Sequence, residues 1–231
     1  MFGTNYTGGI MDYRSAEEIN SAMARVYGHM SVAVAVSMLV SWFVGTTPEL
    51  LSFFFTGVLK WIVILAPLAA ILMFAFASEH FNKSQLKLFL YGFSALMGLS
   101  FATIFAIFTM GSIVSAFMGA AILFAVMSGY GYFTKTNLDS MGKFMLVGLI
   151  AIILASIVNI FIGSTIMQMV ISALAIIIFL GLTAYDTQKI REMVSVDGDT
   201  GRQEVIGALT LYMDFINLFI NLLQLFGIKK D

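Results

Sequence analysis

Apolar windows of about twenty residues recur along the whole chain, each long enough to cross the roughly 30 Å hydrocarbon core of a bilayer as a helix. They are Val26–Gly45, Leu59–Ala77, Leu88–Phe108, Ser112–Phe133, Phe144–Ile162, Ile166–Tyr185 and Ile206–Phe226. Asp214 is the only acidic side chain inside any of them; Lys60 lies at the edge of the second, and Asp186 falls one residue past the sixth. Such a chain reads as an all-α integral membrane protein, a bundle of about seven transmembrane helices. Composition agrees, because 60% of the 231 residues are hydrophobic and 11% charged, against about 45–50% and about 25% in soluble domains. There is too little polar surface to coat so much apolar area in water, so the lipid bilayer is the first partner.

The same composition removes several function classes. A net charge of −1 offers no basic field for nucleic acid. The absence of cysteine removes disulfides, thiolate metal sites and a thiol nucleophile. His29 and His80 are too far apart in the chain to suggest a zinc motif. No cofactor is expected.

Ser15-Ala-Glu-Glu18 matches a capping box, and Ile19, Ala22, Met23 and Val26 follow at helical spacing. Residues 1–25 are therefore expected to form a cytoplasmic tail and a short amphipathic lead-in helix, and residues 26–231 the seven-helix domain. Met1–Ile10 lacks the basic start and apolar core of a signal peptide, so the first span is expected to act as its own insertion signal. Thr109–Gly111 and Gly163–Thr165 predict tight hairpins, and Pro67 predicts a kink in the second span. Turn chemistry in Asp197-Gly-Asp199 and Gly201 predicts a loop over Thr187–Val205.

Counting Lys and Arg by side places nine on one face (Arg14, Arg25, Lys83, Lys87, Lys135, Lys143, Lys189, Arg191, Arg202) and three on the other (Lys60, Lys229, Lys230). The positive-inside rule then puts the N-terminus in the cytoplasm and the C-terminus outside. A re-entrant last helix, returning Lys229 and Lys230 to the cytoplasm, is also compatible with charge alone.

Intramembrane carboxylates cost free energy unless they face a partner or a water-filled cavity. Asp214 lies well inside the last window, and Asp186 lies at a similar expected depth on the preceding, antiparallel helix. Gly207, Thr210, Asp214, Asn217, Asn221 and Gln224 recur at spacings of three and four, so all share one helical face. That stripe lines either a packed polar core or an aqueous path. Two carboxylates in contact in low dielectric share a proton more readily than they both ionise. The same oxygens are hard ligands suited to Ca²⁺, of modest affinity because two donors are few. Asn159, Ser156 and Gln168 read as helix–helix hydrogen bonds, and Glu79 and His80 as solvated interface residues. Gly92, Gly98, Gly148 and Gly181 read as close helix contacts. Trp42, Trp61, Tyr130, Tyr132 and Tyr185 fall near span ends, as interfacial belts do.

Four segments, Ala184-Tyr-Asp-Thr-Gln-Lys189, Gly207–Phe219, Ala95–Ser100 and Gly148–Asn159, together resemble the Bax inhibitor-1 family in its bacterial branch. The pairing of Tyr-Asp-Thr-Gln with Leu-Tyr-x-Asp-Phe-Ile-Asn-Leu-Phe carries most of that specificity. The resemblance implies a last helix enclosed by the other six, a bacterial inner membrane and a pH-sensitive Ca²⁺ leak with Asp186 and Asp214 as its functional pair. Family members often latch this pair with an arginine near the end of the second helix. Here Phe74–Glu79 contains none, and Ala77 takes that position.

The leading expectation is a passive, proton-modulated Ca²⁺ leak, with Thr210, Asn217, Asn221 and Gln224 lining the path. A second reading, also from the resemblance, is a regulator of a membrane-anchored ATP-dependent protease that presents Met1–Tyr13. A third, an intramembrane aspartyl protease, matches at Tyr185-Asp186. It lacks the Gly-x-Gly-Asp of such enzymes at Leu211-Tyr-Met-Asp214, so no enzymatic activity is expected.

Overall fold

The computed structural model describes residues 14–196 and 200–230; the tail proposed as a presented element lies outside them. Helix α1 (Ala16–Gly45) starts at Ser15 through the expected capping box: Glu18 N donates to Ser15 Oγ at 3.3 Å and Ser15 N to Glu18 Oε2 at 2.8 Å. It runs unbroken, so the lead-in helix and the first span are one element. A short helix, α2 (Pro48–Phe55), then crosses the turn to α3 (Leu59–Ala77), which carries Pro67 in its interior. Thr47-Pro48-Glu49, with proline at the first helical position, is the local signal for α2, which is too short to cross a bilayer.

The third span is α4 (Lys83–Ser100), a 3₁₀ turn at Phe101–Thr103 and α5 (Ile104–Ile107). Then come α6 (Met110–Phe133), α7 (Asp139–Ile162), α8 (Thr165–Ser195) and α9 (Thr200–Phe226). Thr109 caps α6 and Ser164 caps α8 through their side-chain oxygens, which makes both hairpins short. Gly163 ends α7 in the left-handed region at φ 70°, a conformation glycine adopts without a Cβ clash.

Most of the loop expected over Thr187–Val205 is helix, because α8 continues to Ser195 and α9 begins at Thr200, while residues 197–199, which carry the turn chemistry, lie outside the described residues. Turn chemistry predicts a loop, but Thr187, Ile190 and Val194 are buried at helical spacing. The charged residues between them face outward, where Lys189 Nζ meets Asp139 Oδ1 at 2.7 Å and Glu192 Oε2 at 2.9 Å. A helix projecting past the bilayer can be polar on its wet side.

All seven long helices are apolar enough to cross a membrane, and α9 is the central one. Two thirds (67%) of its apolar window is buried, against at most 39% in any other span. It packs on α1, α4, α6 and α8. Side chains such as Phe76, Phe133, Phe144 and Phe161 point outward, toward lipid. The two ends of α9 lie at opposite ends of the bundle. Its N-terminal turn pairs with Arg25 and Lys83. Its C-terminal continuation pairs with the turn before α6: Thr109 N donates to Ile228 O at 3.0 Å and Lys230 N to Ile107 O at 2.8 Å. The last helix therefore runs the full height of the bundle.

Three of the four close helix approaches expected at glycines are present. Gly98 abuts the backbone of Ser37, Gly148 meets Ile178 and Gly181 meets Met145, while Gly92 faces open space. The tightest approach is at Gly131 on α6, where a Cβ would collide with the backbone of Ala184 on α8.

Candidate functional site

The segment around Asp186 places three successive residues against three different helices, because each step along a helix turns about 100°. The Tyr185 ring covers Gly142 of α7. Thr187 Oγ1 lies 2.9 Å from Ser128 Oγ on α6, which in turn lies 2.7 Å from Tyr27 OH on α1. Asp186, between them, faces α9, and its carboxyl group is within hydrogen-bonding reach of that of Asp214. On α9 the partition is similar. Tyr212 is fully buried on the far side, its OH 2.6 Å from Ser37 Oγ, which donates to Ser94 O at 2.8 Å. That contact ties α9 to α1 and α4, and two residues on Asp214 turns toward α8.

Asp214 is 4% exposed, and its Oδ2 has no hydrogen-bond partner. Asp186 is half-buried. A carboxylate so dry is unfavourable unless a proton, a cation or water completes it. Space for one exists beside it: a cavity of about 560 Å³ lies between α3, α7, α8 and α9, with both aspartates in its wall. It extends along α8 from Asp186 to Ile171, a span of about 22 Å at 1.5 Å per residue. Phe74, Ile206 and Leu209 line its end nearest the basic face of the bundle.

Thr210, Asn217 and Asn221 also line this cavity. Thr210 Oγ1 donates to Ile206 O at 3.2 Å, Asn217 Nδ2 to Met213 O at 2.8 Å and Asn221 Nδ2 to Asn217 O at 2.9 Å. Each side chain spends one donor inside α9, and all three carry an oxygen, the atom type a hard cation needs. Gln224 stands apart from that group. It is exposed, and its Oε1 accepts from Gln168 Nε2 at 2.7 Å and Ser172 Oγ at 3.1 Å, so it ties α9 to α8 beyond the cavity. Asn159 joins this cluster through Gln168 at 3.4 Å, as expected of helix–helix hydrogen bonds, whereas Ser156 bonds its own helix and lines the cavity. Among the described residues no group of three or more His, Cys, Asp or Glu side chains gathers to hold a metal ion. Any cation at the aspartate pair would keep much of its water.

Glu204, which no motif in the sequence marks, is 2% exposed near the start of α9. Arg25 approaches its Oε1 at 2.7 Å and Lys83 its Oε2 at 3.7 Å. Next to it, Arg202 donates to Ser78 O and Glu79 O at 3.0 Å each, clamping the end of α3 to α9. The structure thus places an arginine at the end of the second span, supplied by the last helix. The apolar run Val205, Ala208 and Leu211 after Glu204 signals that this turn is inside the bundle.

A family model described as inhibitor of apoptosis-promoting Bax1 matches residues 19–231. The chain belongs to the Bax inhibitor-1 family. It is 36% identical over 218 residues to inner membrane protein YbhL of Escherichia coli K12, covering 92% of this chain and 93% of that protein. An uncharacterized protein of Lactococcus lactis, YrjE, is 36% identical over 224 residues, covering 95% of each. In this Bax inhibitor-1 family member, Asp186 and Asp214 share the wall of one cavity.

The two sides of α9 should respond differently to substitution. Leu218 is fully buried, while Asn217 borders the cavity. Leu218→Asn is expected to cost about 2–5 kcal/mol through lost packing and an unpaired amide, and Asn217→Leu much less. Thermal unfolding of both purified variants in detergent checks this; equal midpoints would show that the polar stripe has no structural meaning.

Proposed function

We propose that this chain is a passive, proton-modulated Ca²⁺ leak of a bacterial inner membrane, with Asp186 and Asp214 as its switch. The observation that carries the reading is the buried Asp214 carboxyl group, one oxygen unpartnered, meeting Asp186 in the wall of a cavity lined by Thr210, Asn217 and Asn221. With one proton shared, a short hydrogen bond holds α8 and α9 together. With both carboxylates ionised, repulsion favours a wider spacing or a divalent cation between them. A proton and Ca²⁺ therefore compete for the same oxygens, and pH selects between conformers by their differential stability. The name of the Escherichia coli relative supports the inner membrane as the location. The test is Ca²⁺ flux into proteoliposomes against pH for wild type and Asp214→Asn; identical profiles would remove the pair as the switch.

The lysine and arginine distribution supports a cytoplasmic basic end. A reporter fused before Met1 is expected to be cytoplasmic and one after Asp231 external. The reverse labelling, or both reporters on one side, would overturn this orientation.

A further inference from the structure

The face of α9 opposite the aspartates borders a second cavity of about 410 Å³. Helices α1 and α6 are joined near their basic ends, by Tyr27 to Ser128 and by Tyr132 to Asn20. Toward the other end they part, and Met38 and Trp42 of α1 face Ile113 and Phe117 of α6 across a gap floored by Phe215 and Phe219 of α9. The outer walls are open: Trp42 is 49% exposed and Met118 54%. Ser37, one of two serines in the lining, has its hydroxyl engaged by Ala33 O, Ser94 O and Tyr212. The groove thus offers hydrocarbon contacts and little else, and it sits within the spans, where the surrounding solvent is acyl chain.

Its mouth is charged. Phe105 lines the groove, and its carbonyl accepts from Lys230 Nζ at 2.7 Å. Lys229 is exposed beside it, paired through its backbone with Phe108. An apolar slot ending at Lys230, with Lys229 next to it in the chain, matches a molecule with a long tail and an anionic head. We propose that the groove between α1 and α6 binds an anionic phospholipid of the bilayer, its acyl chain against α9 and its phosphate at Lys229 and Lys230. The site is separate from the aspartate pair, and its occupancy does not depend on the proposed ion flux.

Trp42 reports on the groove directly. The chain has two tryptophans, so Trp61→Phe leaves Trp42 as the single emitter. That protein is reconstituted in phosphatidylcholine vesicles containing chain-brominated phosphatidylglycerol or chain-brominated phosphatidylcholine. Half-maximal quenching is expected at a mole fraction about fivefold to tenfold lower for the anionic lipid. Adding Lys229→Gln and Lys230→Gln is expected to bring the two curves together, and Val114→Phe, which narrows the slot, to weaken quenching by both lipids. Monodisperse elution of each variant confirms that it is folded. Coincident curves in the Trp61→Phe protein would overturn the proposal, as would an anionic preference that survives loss of both lysines. Shielding of Trp42 from both lipids, with cross-linked dimers, would assign the groove to a second copy of the chain and overturn it as well.

Discussion

Ca²⁺ entry into proteoliposomes is expected to change by about tenfold between about pH 5 and pH 8 in the wild-type protein and to be flat in Asp214→Asn. The substitution keeps the shape and hydrogen-bonding capacity of the side chain but removes one of two interacting charges. Asp186 is then left half-buried beside a neutral amide. A tenfold change corresponds to about 1.4 kcal/mol between conformers, well within what two carboxyl groups, one of them buried, can supply. Asp139→Asn is the control. Asp139 is paired with Lys189 at the basic end, outside the cavity, so its loss should leave the pH profile unchanged. A wild-type profile retained in Asp214→Asn would sink the switch and favour the reading as a regulator of membrane proteolysis.

Arg25→Ala is expected to lower the midpoint of thermal unfolding far more than Glu204→Gln. The two partners are unequally wet, since the Arg25 side chain is 50% exposed and that of Glu204 2%. Removing the arginine leaves a dry carboxylate with only Lys83, at 3.7 Å, in partial compensation. Breaking a buried pair in this direction costs about 3–5 kcal/mol. Neutralising the glutamate instead leaves two cations that can turn to water. The double variant Arg25→Ala with Glu204→Gln should therefore be more stable than Arg25→Ala alone. Equal midpoints for the two single variants would show that the pair does not anchor α9.

The seven spans were legible because a bilayer imposes one demand: enough consecutive apolar residues to satisfy the backbone internally across about 30 Å. The capping box at Ser15 and the hairpins at Thr109 and Gly163 were legible for a similar reason, since each depends on residues adjacent in sequence. Beyond the bilayer that demand lapses. The turns of α8 and α9 at the basic end read as a loop in sequence, and α2 gives no window of its own, because a wet helix has no length of apolar run to declare it.

The candidate site divides along the same line. The 3-4 spacing of Thr210, Asp214, Asn217 and Asn221 determined by itself that these residues share one face, as any helix must arrange them. Spacing alone did not decide how far that face continues as a cavity. Gln224 keeps the periodicity yet bonds Gln168 and Ser172. The meeting of Asp186 with Asp214, the enclosure of Glu204 by Arg25 and Lys83, and the seating of Gly131 on the Ala184 backbone are tertiary decisions. Each joins residues on different helices, and which helical faces meet depends on how every side chain in the bundle packs at once. One helix's periodicity carries no record of its neighbour's rotation, so the sequence determines what each helix presents and only the assembled bundle determines what it presents it to.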